Sequence, residues 1–202
     1  MAAEPKIDDW TIYQGRTFKR VIRWETEPVV YKPITAITQT APVEITAVGH
    51  GLKSGWYAAV TNVAGMTEIN APANAPKTAD YKQVTVVDVD TITINTVDAA
   101  SFSAYKSGGY IRYNTPSDLN GAEVRINIRD RVGGSLLQTL STTTGEIVAD
   151  AANNVIAIVI TAAVTAAITY TKGVYDLEVD IAGDVAVLTV GDVVVVPEIT
   201  TE

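Results

Sequence analysis

The stretch from Gly49 to Gly55 combines glycines with a histidine, a lysine and a serine, the residue types of a phosphate-binding loop. Such a loop needs a glycine directly before its lysine, but Leu52 precedes Lys53. A dinucleotide-binding loop needs a third glycine and a long following helix, but Ser54 occupies that glycine position. The stretch therefore predicts a tight turn between two strands rather than a nucleotide site.

His50 is the single histidine of the chain, and cysteine is absent. Imidazole can act as a general base near neutral pH. No serine or carboxylate is placed to suggest a catalytic triad with it, although triad members need not be close in sequence. Multi-histidine metal sites, thiolate sites, disulfides and thiol nucleophiles are excluded. We expect a turn histidine without a catalytic role.

Three aspartates, Asp88, Asp90 and Asp98, could in principle bind Ca²⁺. Their spacing matches no loop that supplies six or more oxygen ligands, so we predict that Asp88 and Asp90 stabilise a hairpin turn. A pair of carboxylates could also cleave glycosides, but nothing in the sequence selects two of them. We assign no catalytic, cofactor-binding or metal-binding residue, and expect a non-enzymatic protein without a cofactor.

Charged residues are distributed unevenly along the chain. The basic residues of two predicted strands are Arg16, Lys19, Arg20 and Arg23, and Arg125, Arg129 and Arg131. All charged residues after Lys172 are acidic, namely Asp176, Glu178, Asp180, Asp184, Asp192, Glu198 and Glu202. Either basic and acidic strands pair within one sheet, or these seven basic residues form an interface that docks other subunits.

The overall charge limits the partners that we expect. A net charge of -8 argues against nucleic-acid binding, which depends on lysine and arginine contacts to phosphates. Residues 1–9 are polar and acidic, so we expect no export signal in them. The most apolar stretch, from Val155 to Ile168, is shorter than the roughly 20 residues of a membrane span. No membrane association is expected.

The elements that must position these groups are strands. After a turn at residues 116–121, Ala122, Val124, Ile126 and Ile128 alternate with polar residues, which is typical of a strand with one buried face. Residues 174–181 alternate in the same way. Strands of this kind belong to antiparallel sheets. We therefore predict an all-β fold, an antiparallel, immunoglobulin-like β-sandwich.

Several local predictions complete the sandwich. Residues 17–24 predict a strand with Phe18, Ile22 and Trp24 on one face. An irregular segment from Glu25 to Pro33 is expected to follow it. Residues 155–160 are almost entirely apolar and predict a strand buried on both faces. Residues 162–168 predict one helical turn capped by Thr161. Gly191 and Asp192 predict a turn between two final strands.

The middle of the chain has a different composition. From about Ile34 to Tyr113, five short strands are separated by glycine-containing turns and by a loop rich in proline and asparagine. Short, evenly punctuated strands are typical of small barrels. We predict a small β-barrel at residues 31–114, bracketed by Pro28, Pro33 and Pro116.

Two sets of motifs resemble virion proteins of tailed bacteriophages. The outer set comprises Gln14–Phe18 through Trp24, Pro116–Gly121 through Arg129, Gly133–Gly134, Ser141–Thr142, Gly145 and Val174–Glu178. It is similar to a family of phage structural proteins. That family is itself similar to the N-terminal β-sandwich of baseplate upper proteins. The inner set resembles the FCCH β-barrel of ubiquitin-activating enzymes, which phage proteins also carry, and comprises Ile45–Leu52, Gly65–Asn70 and Ala104–Tyr110. The inner likeness implies no ubiquitin chemistry. In members of the outer family without the inner part, the first strand leads almost directly to the turn that corresponds to residues 116–121. The resemblance therefore implies a barrel inserted at residues 31–114 and a discontinuous sandwich formed by residues 1–30 and 115–202.

The resemblance implies a structural virion protein, a tail- or collar-associated adaptor that docks other virion proteins in multiple copies of a symmetric assembly. Its location would be the virion, assembled in the cytoplasm of the bacterial host. The alternatives are a head decoration protein and a carbohydrate-binding or receptor-binding module of the tail. An open platform formed by Trp56, Tyr57, Tyr81 and Tyr105 would favour glycan binding, whereas burial of these residues would favour a scaffold.

Overall fold

The protein is described by a computed structural model that covers residues 5–73 and 75–199. Residues 1–4 of the predicted sandwich and Glu202 of the acidic C-terminal third lie outside the described residues. The strands in chain order are β1 (Lys6–Ile7), β2 (Trp10–Tyr13), β3 (Phe18–Ile22), β4 (Glu25–Pro33), β5 (Ala36–Ile37), β6 (Val43–Thr46), β7 (Tyr57–Ala64), β8 (Lys82–Gln83), β9 (Thr85–Val86), β10 (Thr91–Ile94), β11 (Ser107–Pro116), β12 (Glu123–Arg129), β13 (Leu136–Ser141), β14 (Ile147–Asp150), β15 (Val155–Ile160), β16 (Lys172–Ile181) and β17 (Asp184–Val196).

Helical structure in the described residues is short. Two 3-10 turns span Thr67–Ile69 and Thr78–Asp80, and α1 spans Ala162–Ala166. The side chain of Thr161 caps α1 by accepting a hydrogen bond from the Val164 amide, as predicted. The prediction of an all-β fold is confirmed.

The contacts divide the chain into two compact units. One consists of residues 1–24 and 117–202, and the other of residues 25–116. The sequence placed the boundaries at 30/31 and 114/115. The difference arises because β4 begins at Glu25 and pairs along its length with β11, so both strands belong to the second unit.

The discontinuous unit is a β-sandwich. Its larger sheet has the order β1-β17-β16-β12-β13, with β2 also paired to β17, and its smaller sheet has the order β14-β15-β3. Ile126 and Ile128 of the larger sheet share one buried cluster with Ile156 and Ile158 of the smaller one. Phe18, Ile22 and Trp24 pack against this cluster, as predicted. The pairing is antiparallel except that β1 and β2 run parallel to β17.

The inserted unit contains two four-stranded sheets, with the orders β5-β6-β10-β9 and β4-β11-β7-β8. One buried cluster draws on both sheets, including Ile45, Trp56, Ile92 and Ile111. The pairing of the described strands does not close into a barrel, which differs from the predicted small barrel. Among the described strands, each sheet therefore remains open at its two edge strands, and the two sheets share one core.

The prediction of an irregular segment from Glu25 to Pro33 is wrong, because these residues form β4. Proline cannot donate to a strand ladder and is therefore confined to edge strands and bulges. β4 is an edge strand, and its register shifts around Pro28, between the pairs Val29–Asn114 and Thr26–Thr115. Both features allow a proline-containing segment to remain in the sheet.

Two predictions in the sandwich are also wrong. β15 is not buried on both faces, since Ile156, Ile158 and Ile160 are buried whereas Val159 is 38% exposed. Gly191 does not end a strand, because β17 continues through it. A Cβ atom at Gly191 would lie 2.4 Å from the Asp8 carbonyl oxygen. The glycine therefore permits close approach of the N-terminal segment rather than a turn.

Within the described residues, no helix is long and apolar enough to cross a membrane.

Candidate functional site

The segment from Gly49 to Gly55 is a tight turn, as predicted. Gly49 and Gly51 have φ angles of 59° and 70°, which favour glycine. His50 lies between them and is only 1% exposed. Its Nδ1 accepts a hydrogen bond from the Leu52 amide at 3.0 Å, and its Nε2 lies 3.0 Å from the Asp88 carbonyl oxygen. Because Nδ1 must accept, Nε2 carries the proton and donates to Asp88.

Both ring nitrogens of His50 are thus occupied by backbone partners. The carbonyl oxygen of His50 accepts a hydrogen bond from the hydroxyl of Tyr113. These bonds link the turn to the β9–β10 hairpin and to β11. Hydrogen bonds to backbone groups therefore account for the burial of the His50 imidazole.

We expect His50→Ala to lower the free energy of unfolding of the inserted unit by about 1–3 kcal/mol, because it leaves the buried Leu52 amide and the partly buried Asp88 carbonyl without their His50 partner. Denaturant unfolding monitored by the fluorescence of Trp56, which is buried in this unit, measures the change. Lys53→Ala, an exposed change in the same turn, is the control and should have little effect. An unchanged midpoint for His50→Ala would contradict the structural role.

The candidate Ca²⁺ ligands are engaged in turn-stabilising bonds. Asp88 Oδ1 accepts from the Asp90 amide at 2.8 Å, which lowers the pKa of Asp88 below its ordinary value. Asp90 Oδ1 accepts from the Gly49 amide at 2.8 Å, and Asp98 Oδ1 accepts from the Ala100 amide at 3.0 Å. Among residues 5–73 and 75–199, no cluster of three or more metal-ligating side chains forms. The predicted hairpin role of Asp88 and Asp90 is confirmed.

Basic residues of and after β12 lie on the larger sheet of the sandwich and have partners within the chain. Arg125 donates to Glu178 across the β12–β16 pair at 2.5 Å, and this hydrogen bond raises the pKa of Arg125. Arg129 donates to the Gly134 carbonyl at 2.8 Å. Arg131 pairs with its neighbour Asp130 at 2.9 Å. The Arg125–Glu178 pair is the cross-strand pairing that the charge pattern allowed, whereas Arg129 and Arg131 contact groups of the turn after β12.

A second group of basic residues lies on β3 of the smaller sheet or next to it, and its contacts differ from those of the basic residues of β12. Arg20 lies 3.6 Å from Asp8 and 5.7 Å from the centroid of the Phe18 ring. Arg16 lies 5.8 Å from the centroid of the Tyr13 ring. Lys19 is exposed and Arg23 is half-buried. Of the seven predicted interface residues, two lie on β3 of the smaller sheet, two on β12 of the larger sheet, and three in segments next to these strands, namely Lys19 and Arg20, Arg125 and Arg129, and Arg16, Arg23 and Arg131. The interface itself stays a prediction.

A shallow depression of about 200 Å³ lies on the outer face of the larger sheet. Arg125 and Glu178 line it together with Glu123, Asp180 and hydroxyl side chains of β13 and the following turn. Ligand pockets usually enclose about 300–1,000 Å³ and are mostly apolar. The depression is smaller and more polar than such a pocket, so we assign it no ligand.

The four aromatic residues predicted to discriminate between scaffold and glycan binding do not form an open platform. Trp56 is completely buried. Tyr105 is half-buried and donates its hydroxyl to the Ile34 carbonyl at 3.0 Å. Tyr81 is also half-buried, whereas Tyr57 is 41% exposed. These four residues therefore do not form the open platform expected for glycan binding, and of them only Trp56 is buried as expected for a scaffold.

A different set of tyrosines is exposed on the inserted unit. Tyr31 and Tyr110 are 51% and 41% exposed, and their rings meet edge to face at 6.2 Å. The guanidinium of Arg112 lies 5.6 Å from the Tyr31 ring centroid. Tyr57 lies on the same face, because Ala59, two residues further along β7, pairs with Arg112. We name Tyr31, Tyr57, Tyr110 and Arg112 the tyrosine face.

Sequence reasoning missed the tyrosine face because it treated the segment containing Tyr31 as irregular. The β-branched and aromatic run Val29, Val30 and Tyr31, which favours a strand, is the signal that could have identified it. The prolines obscured this signal.

Comparison with known proteins adds no family assignment: no protein-family model matches this sequence, and no curated protein is significantly similar to it.

Proposed function

We propose that this chain is a non-enzymatic structural protein of a tailed-bacteriophage particle, a tail- or collar-associated adaptor that docks other virion proteins. It would act in several copies within a symmetric assembly of the virion, which assembles in the bacterial cytoplasm. It would need no cofactor and would contact neither nucleic acid nor membrane. The proposal rests first on the resemblance of the sandwich and inner motifs to phage structural proteins.

The observation that carries the proposal is the interrupted sandwich. The resemblance implies that an additional unit is inserted between the first strand and the turn at residues 116–121, and the chain folds as a sandwich with a second unit at residues 25–116. In that turn the side chain of Asp118 accepts from the Asn120 amide at 3.0 Å, while Leu119 is buried in the sandwich core. The motif therefore supports the sandwich locally.

The polar groups that could perform chemistry offer further support. His50, Asp88, Asp90 and Asp98 are held by bonds that stabilise turns. These hydrogen bonds hold the loops in fixed positions, as a scaffold requires. A docking module needs a stable frame with exposed side chains, and Arg16 and Lys19 next to and on β3 are exposed.

Immunogold electron microscopy of purified particles tests the proposal. An antibody against this chain should label the tail or collar of particles from the bacterium that produces the protein. Labelling over the capsid would favour the head decoration protein instead. Absence of the chain from particles by both labelling and mass spectrometry would contradict a virion role.

The tyrosine face favours one second candidate, a carbohydrate-binding or receptor-binding module. Exposed aromatic rings offer flat apolar surfaces on which the C–H groups of a sugar can stack. The guanidinium of Arg112 beside Tyr31 would add a positive charge that favours acidic sugars. This candidate concerns the inserted unit alone.

If the second candidate is correct, the chain should bind members of an array of bacterial surface oligosaccharides. Tyr31→Ala and Tyr110→Ala should then each weaken binding at least about tenfold, which corresponds to about 1.4 kcal/mol. Tyr13→Ala is the matched control, because Tyr13 is 50% exposed but lies in the sandwich unit. Binding that is absent, or that is insensitive to both substitutions, would exclude the tyrosine face as a glycan site.

A further inference from the structure

The outer face of the sheet β14-β15-β3 is aliphatic at its centre. Val148, Ala157 and Val21 follow one another across the three strands as ladder partners. Val148 and Val21 are 56% and 55% exposed, and Val159, further along β15, is 38% exposed. Outward positions in a sandwich are normally polar. We name this surface, centred on Val21, Val148, Val155, Ala157 and Val159, the valine face.

The β3 edge of the valine face is basic. Lys19 pairs with Val159 in the ladder, so both side chains point to the same side of the sheet. Arg23 directly follows Ile22, which pairs with Ile156, so the continued alternation places Arg23 opposite Val155. Trp24, the next residue, packs against the core, in agreement with an outward Arg23.

The β14 edge of the valine face is acidic. Glu146 lies beside Val159, whose amide donates to the Glu146 carbonyl at 2.8 Å. Because Ile147 is buried, Glu146 and Val148 on either side of it point outward. Asp150 pairs with Val155 and completes the acidic edge. Lys19 and Arg23 on the basic edge therefore each have an acidic counterpart at the same level on the opposite edge, Glu146 and Asp150 respectively. Arg20, the other basic residue of β3, pairs with Ile158 and points to the other side of the sheet.

This pattern is complementary to itself. A twofold axis parallel to β15, lying in the plane of contact, would place β3 of one copy over β14 of another. Lys19 would then oppose Glu146, Arg23 would oppose Asp150, and Val21 would oppose Val148. We propose that the valine face binds the same face of a second copy of this chain, packed sheet to sheet about such an axis.

The composition of β15 agrees with this arrangement. All six residues from Val155 to Ile160 are apolar, a pattern typical of strands covered on both faces. Within one chain only the face of Ile156, Ile158 and Ile160 is covered. A second copy would cover the other face and bring like aliphatic side chains together, and this contact does not depend on whether the protein belongs to a virion.

The size of the face indicates the strength of the contact. Three strands spaced about 4.8 Å apart and five residues rising about 3.4 Å each span about 14 by 17 Å, or about 240 Å². Stable interfaces bury about 800 Å² on each partner. We therefore expect a weak, concentration-dependent dimer in solution.

Sedimentation equilibrium of the full chain over rising protein concentration tests the proposal. The weight-average mass of the unmodified chain should rise from one toward two protomers. Val148→Lys should hold the chain at the monomer mass at every concentration, because it places a charge in the aliphatic centre. Val185→Lys is the matched control, since Val185 is also 56% exposed but lies on β17. It should associate like the unmodified chain.

A charge exchange tests the twofold arrangement separately. Lys19→Glu and Glu146→Lys should each remain monomeric, because each places two like charges in opposition. An equimolar mixture of these two variants should associate again, since both pairs across the axis are then of opposite sign. A monomeric unmodified chain, association that survives Val148→Lys, or a mixture that stays monomeric would each overturn the proposal.

Discussion

Replacing Trp10 with alanine is expected to lower the free energy of unfolding of the sandwich by about 3–5 kcal/mol. Trp10 is 1% exposed, and its ring lies 4.1 Å from that of Tyr175 and 5.0 Å from that of Phe18, measured between centroids. Its indole Nε1 also donates to Asp8 at 2.9 Å. The substitution would leave a cavity between the two sheets and release β2 from β17.

Trp24 fluorescence during denaturant unfolding, in a Trp56→Phe background, would report this change, because Trp24 packs on the sandwich core. Tyr13→Ala provides a matched control within β2. Tyr13 is 50% exposed, so its loss should cost less than about 1 kcal/mol. Equal effects of the two substitutions would show that β2 does not contribute to the core through Trp10.

Replacing residues 25–116 with a short Gly–Ser linker is expected to leave a sandwich that unfolds cooperatively, with a melting temperature within about 5 °C of the sandwich transition of the full chain. The Ser117 amide donates to the Trp24 carbonyl at 2.9 Å, so the two ends that the linker must join are already adjacent. All members of the described sandwich cluster lie outside residues 25–116. Loop closure depends only weakly on length, about 0.6 kcal/mol for each doubling.

Differential scanning calorimetry of the deletion variant measures this transition. Introducing Trp10→Ala into the shortened chain should abolish or strongly lower it, which would assign the transition to the sandwich core. An aggregated or non-cooperative product would contradict the separability of the two units and would mean that the inserted unit is needed to complete the sandwich.

The sequence by itself determined the elements whose local pattern and tertiary environment agree. β12 and β16 alternate strictly, so their buried faces followed from period two alone, and Ile126 and Leu177 are buried as the pattern requires. The capped turn at α1 followed from the alanines and Thr161. The turns at Gly49–Gly51 and Asp88–Asp90 followed from residue types that suit bent backbone.

Only the tertiary structure decided which side of a strand or turn meets a neighbour. Pro28 indicates a break locally, but an edge position with a register shift keeps β4 in its sheet. Gly191 has the composition of a turn, but the approach of the Asp8 carbonyl is what requires it. The sequence around His50 does not match a nucleotide-binding loop, and only the fold places the Asp88 carbonyl beside its ring.

The candidate surfaces depend on contacts between strands that are distant in sequence. Arg125 and Glu178 lie 53 positions apart, and ladder pairing alone makes them a pair rather than two separate docking residues. Val21, Ala157 and Val148 are contributed by three separate strands to a single row. The sequence determines which face of each strand is apolar, but only the packing of the two sheets decides which apolar face remains uncovered, because burial is a property of the assembled layers.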